Sequence, residues 1–405
     1  MSVREVEEGS ITTPAGFRAA GVACGIKESG TKDLALIVSD RPASAAAVYT
    51  RNRVQAAPIA VDRRHLKDAV AQAVILNSGN ANACTGDPGE ADAERMCALS
   101  ARHLGLTPSD VLVCSTGVIG VPLPMDLIES NIEPLVEALS ATGGISCAEA
   151  MMTTDTVAKH VAVEIEIDGQ IVSVGGVAKG AAMISPNMAT MLAVVGTDAD
   201  LPATQLRELL VEAVGRSFNC VTVDGDMSTN DTVIALANGA SGVGQRDTPL
   251  AEPSARQLYE AMEYVCRHLA RAMAADGEGA SKLIHIRVSG GGNEDEARQV
   301  GLSVANSSLV KTAAFGNDPN WGRILCAVGY AGVDIEPARV DVALCGTTIY
   351  TAGAGASYDA ESLSEAMKKK EITIDIDLAM GSAAAEIFTC DLTYEYVRLN
   401  AEYTT

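Results

Sequence analysis

Histidine, paired cysteine and basic charge are all in short supply in this chain. Its 405 residues hold five His, 30 Lys+Arg against 52 Asp+Glu, and a net charge of −22. A surface that acidic repels nucleic acid phosphates and anionic membranes alike. The densest basic run, Lys368-Lys369-Lys370, reads as a solvated helix end. Ten cysteines occur without one C-x-x-C pair, which describes buried, reduced thiols in a cytosolic chain better than a disulfide or zinc framework. His65, His103, His160, His268 and His285 show no H-E-x-x-H spacing, so no metal site is expected and a Ser-His-Asp relay has little raw material. Large aromatics are scarce as well, one Trp, four Phe and nine Tyr, leaving Ala, Val, Ile, Leu and Met to build the core. No run of 18 apolar residues and no basic-then-apolar leader occurs, so a cytoplasmic protein is expected.

The length and a 47% hydrophobic content suggest two or three globular domains. Short apolar runs read as strands at residues 34–38, 71–76 and 111–114, the last two leading into Asn77-Ser78-Gly79-Asn80 and Ser115-Thr116-Gly117. Residues 161–167 alternate, and Asp168-Gly169 predicts a hairpin into residues 170–177. Helical spacing joins Leu206, Leu209, Leu210, Ala213 and Val214, and again Leu258, Met262, Val265, Leu269 and Met273. The run Ser289-Gly290-Gly291-Gly292-Asn293 reads as a linker, or equally as a loop between a strand at 283–288 and the next helix. Beyond it, strands at 340–344 and 372–378 surround a helix near 362–369. This is an α+β pattern without the strict βαβ alternation of a Rossmann fold, and no P-loop is present.

One stretch is unusual: Lys179-Gly180-Ala181-Ala182-Met183-Ile184-Ser185-Pro186-Asn187-Met188-Ala189-Thr190-Met191-Leu192. Small residues permit close backbone approach, Pro-Asn favours a sharp turn, and Thr190 then opens an apolar strand. Composition alone makes this an ordinary turn entering a buried strand. The whole string, however, closely resembles the self-cleaving segment of the ornithine acetyltransferase family, the arginine biosynthesis bifunctional proteins. Further matches to that family follow in order along the chain. They include residues 77–86, 115–120, 153–156, 224–232, 276–282, 316–324 and 400–405. The one visible departure is Ala181-Ala182, where many relatives carry Ser and Gly.

The resemblance implies a layered mixed α/β sandwich of the N-terminal-threonine-nucleophile type with a smaller C-terminal α+β domain. The expected division is an α/β/β/α catalytic region at 1–285 and a second domain at 286–405, whose tail contributes to the site. Cleavage between Ala189 and Thr190 would leave an alpha chain, 1–189, and a beta chain whose first residue carries both a hydroxyl nucleophile and a free α-amine. An α-amine with a pKa near 7.8 is roughly one-seventh unprotonated at pH 7, so it supplies the base that histidine does not. Thr116 (hydroxyl) and Gly117 (backbone N–H) are the implied oxyanion donors. The implied substrate contacts are Thr154, Lys179, Thr190, Glu278, Asn400 and Thr405. Lys179 suits a carboxylate and Glu278 an ammonium group.

The implied reaction moves acetyl from N-acetyl-L-ornithine to L-glutamate by a ping-pong route in arginine biosynthesis, with no cofactor. No motif separates relatives that also use acetyl-CoA as a co-substrate from those that only recycle acetyl groups. The implied assembly is a heterotetramer of two alpha and two beta chains. The competing enzyme reading is an amidase or aminopeptidase of the N-terminal-nucleophile type, with water as acceptor. Asp226, Asp231 and Trp321-Gly322-Arg323 read as structural turns.

Overall fold

In the computed structural model, residues 3–185 and 191–402 are described. Nine strands of the first region are joined by hydrogen bonds: β1 (Arg4–Glu5), β2 (Phe17–Val22), β3 (Leu34–Tyr49), β4 (Val70–Asn80), β5 (Val111–Val118), β6 (Lys159–Ile167), β7 (Gln170–Lys179), β8 (Leu192–Thr197) and β9 (Thr232–Ala237). Their order is β1-β6-β7-β8-β9-β3-β4-β5, with β2 beside β3. These strands form one continuous hydrogen-bonded path. Pairs β4–β5 and β8–β9 are parallel and the rest antiparallel. The expected hairpin is present, with Asp168 (φ 52°) and Gly169 (φ 78°) as its two turn residues.

Because successive strand residues face opposite sides, β3 divides its side chains between two cores. Ala35, Ile37, Ala43, Ala45 and Ala47 pack with the helix at Gly144–Met151. Leu34, Leu36 and Val38 pack with the helices at Ala57–His65, Gly86–Leu104 and Met125–Glu137. Farther along that second face, Ala46 and strands β6–β9 meet the helices at Ala203–Gly215 and Ser254–Ala275. All ten apolar positions expected on those two helices are buried. Each such side chain contributes about 1.5–3 kcal/mol when fully buried. Of the few aromatics, Phe17, Phe218, Phe388 and Tyr259 lie in the core, whereas Tyr264, Tyr330 and Tyr394 are exposed.

The second region is a six-stranded sheet: β10 (Leu283–Gly291), β11 (Asp341–Leu344), β12 (Thr347–Thr351), β13 (Ala354–Gly355), β14 (Glu371–Asp377) and β15 (Ala383–Cys390), in the order β13-β12-β11-β14-β10-β15. Its core is Ile, Val and Ala from the strands packed on the helices at Glu294–Ala305, Ser308–Phe315 and Trp321–Gly329. The fold is therefore the expected mixed α+β class with a smaller C-terminal unit. The division drawn at 285/286 runs through β10, since this sheet starts at Leu283.

The glycine run is not a linker. Residues 289–291 finish β10, Gly290 has φ 70°, and a Cβ there would stand 2.1 Å from the Asp377 carboxylate. Asn293 then caps the next helix by accepting from the Glu296 N–H, and three acidic residues fill its first turn. The short crossover places strand and helix in direct contact. The cysteine expectation also needs correction: seven are buried, but Cys84 and Cys326 are exposed and Cys345 is half-buried. No helix of the described residues is long and apolar enough to cross a membrane.

Candidate active site

The motif stretches converge because two of them are strand ends rather than loops. Asn77-Ser78-Gly79 continues β4 and Ser115-Thr116-Gly117 continues β5, in parallel register Ser78↔Thr116 and Gly79↔Gly117. Gly117 adopts φ 134°, and a Cβ on it would lie 2.2 Å from the Gly79 carbonyl carbon. Only glycine lets those backbones approach so closely. Lys179 is the last residue of β7, paired across the ladder with Leu192 at the start of β8.

These ends open into a cleft of about 900 Å³, lined among others by Thr116, Gly117, Thr154, Lys179, Glu278 and Asn400. Six of the residues expected at the site thus share one cavity. Ala189, Thr190 and Thr405 lie outside the described residues. Lys179 is 3% exposed, and its Nζ donates to Thr116 Oγ1 at 3.2 Å. That contact occupies a lone pair of the hydroxyl and leaves its proton free to be donated. Asn400, on the helix Tyr394–Glu402, donates Nδ2 to the Glu278 carboxylate at 2.6 Å, joining the C-terminal helix to the cleft. The Glu278 N–H donates to the Ala181 carbonyl at 2.7 Å, tying that loop to the segment after Lys179.

The electrostatics divide the cleft. Burial holds the Lys179 ammonium below the ordinary lysine range, while the carboxylates of Asp155, Asp231 and Glu278 oppose that shift. Lys27, also lining the cleft, is lowered by burial as well. Four acidic residues, Glu28, Asp224, Asp226 and Glu278, line the same cleft. A cavity with cationic and anionic groups on its walls suits a small zwitterion. No cluster of His, Cys, Asp or Glu among the described residues could hold a metal ion.

Sequence reasoning gave no site role to three acidic residues, Asp155, Asp224 and Asp231. Asp155 accepts from Lys159 Nζ (2.7 Å), Gly180 N–H (2.7 Å) and Thr153 N–H (3.0 Å), fixing the backbone beside Lys179. Burial pushes its carboxyl up, but Lys179 and Lys159 outweigh this and hold it down at about 2. The D-x-x-x-K spacing of Asp155 and Lys159 was the available signal. Asp224 accepts from Met183 N–H (2.6 Å) and Ile184 N–H (2.9 Å). Asp231, read as a turn residue, is fully buried, and its Oδ1 accepts from Met191 N–H at 3.0 Å. Trp321 packs in the second region against Tyr350, far from a binding loop's role.

A cleft at strand ends, lined by both apolar and charged side chains, defines an enzyme-type pocket for a small molecule. The ArgJ family model matches residues 18–405, and the chain belongs to the ArgJ family. It is 48% identical over 402 residues to the arginine biosynthesis bifunctional protein ArgJ of Symbiobacterium thermophilum, covering 98% of this chain and 99% of that protein. The protein of the same name from Bacillus anthracis is 46% identical over 405 residues, covering 100% and 99%. Among solved structures, ornithine acetyltransferase of Mycobacterium tuberculosis complexed with ornithine is 44% identical, with a TM-score of 0.43, covering 46% of this chain and 98% of that one.

Proposed function

We propose that this protein transfers acetyl from N-acetyl-L-ornithine to L-glutamate through an acetyl ester on Thr190, after cutting itself between Ala189 and Thr190. In the cut, the Thr190 hydroxyl attacks the Ala189 carbonyl, the peptide C–N bond breaks, and water hydrolyses the resulting ester. The freed α-amine then takes the hydroxyl proton as Thr190 attacks the acetyl carbonyl of the donor. The donor's amide C–N bond breaks and ornithine leaves with that proton. Glutamate's amine attacks the ester in the reverse sense, restoring the Thr190 hydroxyl. Both substrates are α-amino acids, so one zwitterion-binding cleft serves both halves of the cycle.

The observation that carries this reading is the buried Lys179–Thr116 contact in the wall of a charge-divided cleft. Thr116 hydroxyl and Gly117 N–H would receive the developing oxyanion. With Nζ on Thr116 and 3% exposure, Lys179 is better placed to support that hydroxyl electrostatically than to meet a substrate carboxylate. Lys27 supplies a second cation for that purpose. The family membership supports the substrates, and ornithine is the ligand of the mycobacterial relative.

Intact mass spectrometry after mixing with acetyl-labelled N-acetylornithine tests the scheme. It should show fragments of 189 and 216 residues, with one acetyl on the second until glutamate is added. Thr190→Ala should remain a single, unacetylated chain. A fully active uncut wild type refutes the mechanism, and release of free acetate instead of N-acetylglutamate selects the amidase reading. Acetyl-CoA offered as the alternative donor decides whether the acetyl-enzyme can also be charged from it. The proposed two-plus-two assembly predicts a native mass twice that of one whole chain.

A further inference from the structure

Beside the end of β3 lies a second cleft, of about 480 Å³, whose lining includes three arginines, Arg51, Arg63 and Arg207. Arg63 sits over the Tyr49 ring at 5.4 Å from its centroid, and Arg207 donates to the Ala47 carbonyl at 3.4 Å. None of the three forms an ion pair among the described residues, and no carboxylate lines the cleft. In a chain of net charge −22, three neighbouring guanidiniums left without acidic partners are out of keeping with the rest of the surface. Most other arginines, such as Arg64 with Glu90 and Glu94 or Arg216 with Glu294, are paired.

We propose that this cleft binds the phosphate groups of a small phosphorylated ligand. Guanidinium forks match phosphate oxygens two at a time, and three of them balance a group bearing more than one negative charge. An amino-acid zwitterion would leave its ammonium group unmatched, because the lining lacks an acid. The site is therefore chemically distinct from the catalytic cleft. The two clefts share no lining residue. The proposal does not depend on the acetyl-transfer reading.

Isothermal titration of the wild-type protein with inorganic pyrophosphate at low ionic strength provides the test. Saturable one-to-one binding is expected, weakened at least about tenfold in Arg63→Gln/Arg207→Gln through loss of charge-assisted hydrogen bonds. Both side chains are exposed, so the variant's unchanged melting temperature without ligand verifies its fold. Arg102→Gln, an exposed charge removed elsewhere, should leave the affinity within about twofold. Coenzyme A forms a parallel arm: tighter binding than pyrophosphate identifies a cofactor's phosphates, and equal or weaker binding identifies the free anion. Failure of both probes to saturate by about 5 mM overturns the proposal. So does binding that survives the double substitution, or that Arg102→Gln weakens equally.

Discussion

Replacing Asp155 by Asn removes one charge from a buried carboxylate that fixes the backbone beside Lys179. Its oxygens hold the Lys159 ammonium and the N–H groups of Gly180 and Thr153, and its side chain is fully shielded from solvent. Breaking one partner out of a buried ion pair costs about 3–5 kcal/mol. Lys159 retains Asp276 at 2.6 Å, so the lower end, about 3 kcal/mol at pH 7, is expected. The pH dependence has a definite sign. The folded pKa of about 2 lies below the ordinary 3.8, so this stability is present above pH 4 and is lost as pH falls through 2. A shift of that size corresponds to roughly 2 kcal/mol. The gap between wild type and Asp155→Asn should therefore narrow by about that amount between pH 6 and pH 2. Trp321 lies in the second region, so its fluorescence is the wrong probe. Amide hydrogen exchange in β6 and β7 reports the relevant unit. Exchange protection differing by less than about 0.5 kcal/mol at pH 6 would refute the argument, as would a gap that does not change with pH.

Thr116→Val should lower the acetyl-transfer kcat by about 10²–10³ while leaving KM within a few-fold, and Thr116→Ser should recover most of the loss. Equal changes in kcat and KM would deny the hydroxyl a transition-state role. Glu278→Gln removes an acidic wall of the cleft and weakens the charge on the Asn400 contact, so KM for N-acetylornithine should rise at least about tenfold in steady-state assays. An unchanged KM would place the substrate's ammonium elsewhere. Gly21→Ala tests packing away from the chemistry: its Cβ would meet the Ser146 carbonyl at 2.1 Å, where β2 lies against the helix Gly144–Met151. About 1–3 kcal/mol of destabilisation in a denaturant titration is expected.

The sequence made the helices Ala203–Gly215 and Ser254–Ala275 legible because their apolar stripes are set by local spacing, whereas helices such as Gly86–Leu104 and Met125–Glu137 went unread. It also revealed, to within one residue, where strands began, with starts read at 34, 71 and 111 against 34, 70 and 111 observed, but not where they ended. Asn77–Asn80 and Ser115–Val118 look like turns, since Asn, Ser and Gly are weak strand formers. They stay in the sheet because each strand supplies the other's backbone partners, information that neither segment contains alone. The site followed the same rule. Residue types at 116, 154, 179, 278 and 400 were readable, whereas their meeting in one cleft depends on β5, β7 and the C-terminal helix arriving together. Lys179 was assigned by charge alone to a carboxylate, and its 3.2 Å contact with Thr116 became visible only in three dimensions.

Acidic residues fix the described chain ends on either side of the 186–190 segment by ordinary hydrogen bonds. Before it, Asp224 takes the N–H groups of Met183 and Ile184, and the Ile184 carbonyl accepts from the Val223 N–H at 2.9 Å. After it, Asp231 takes the Met191 N–H, and the Met191 carbonyl accepts from Thr232 at 3.1 Å. Both carboxylates belong to one stretch, residues 224–231, so a single loop grips the chain on both sides. Burial raises both carboxyl groups above the ordinary range, most strongly at Asp231, whose Oδ2 has no hydrogen-bond partner among the described residues. Such groups persist where surrounding donors over-determine their position, and here those donors are the backbone of the very segment ends they fix. Asp231 is thus structural in a sense the turn reading missed: it anchors the residue next to the proposed nucleophile.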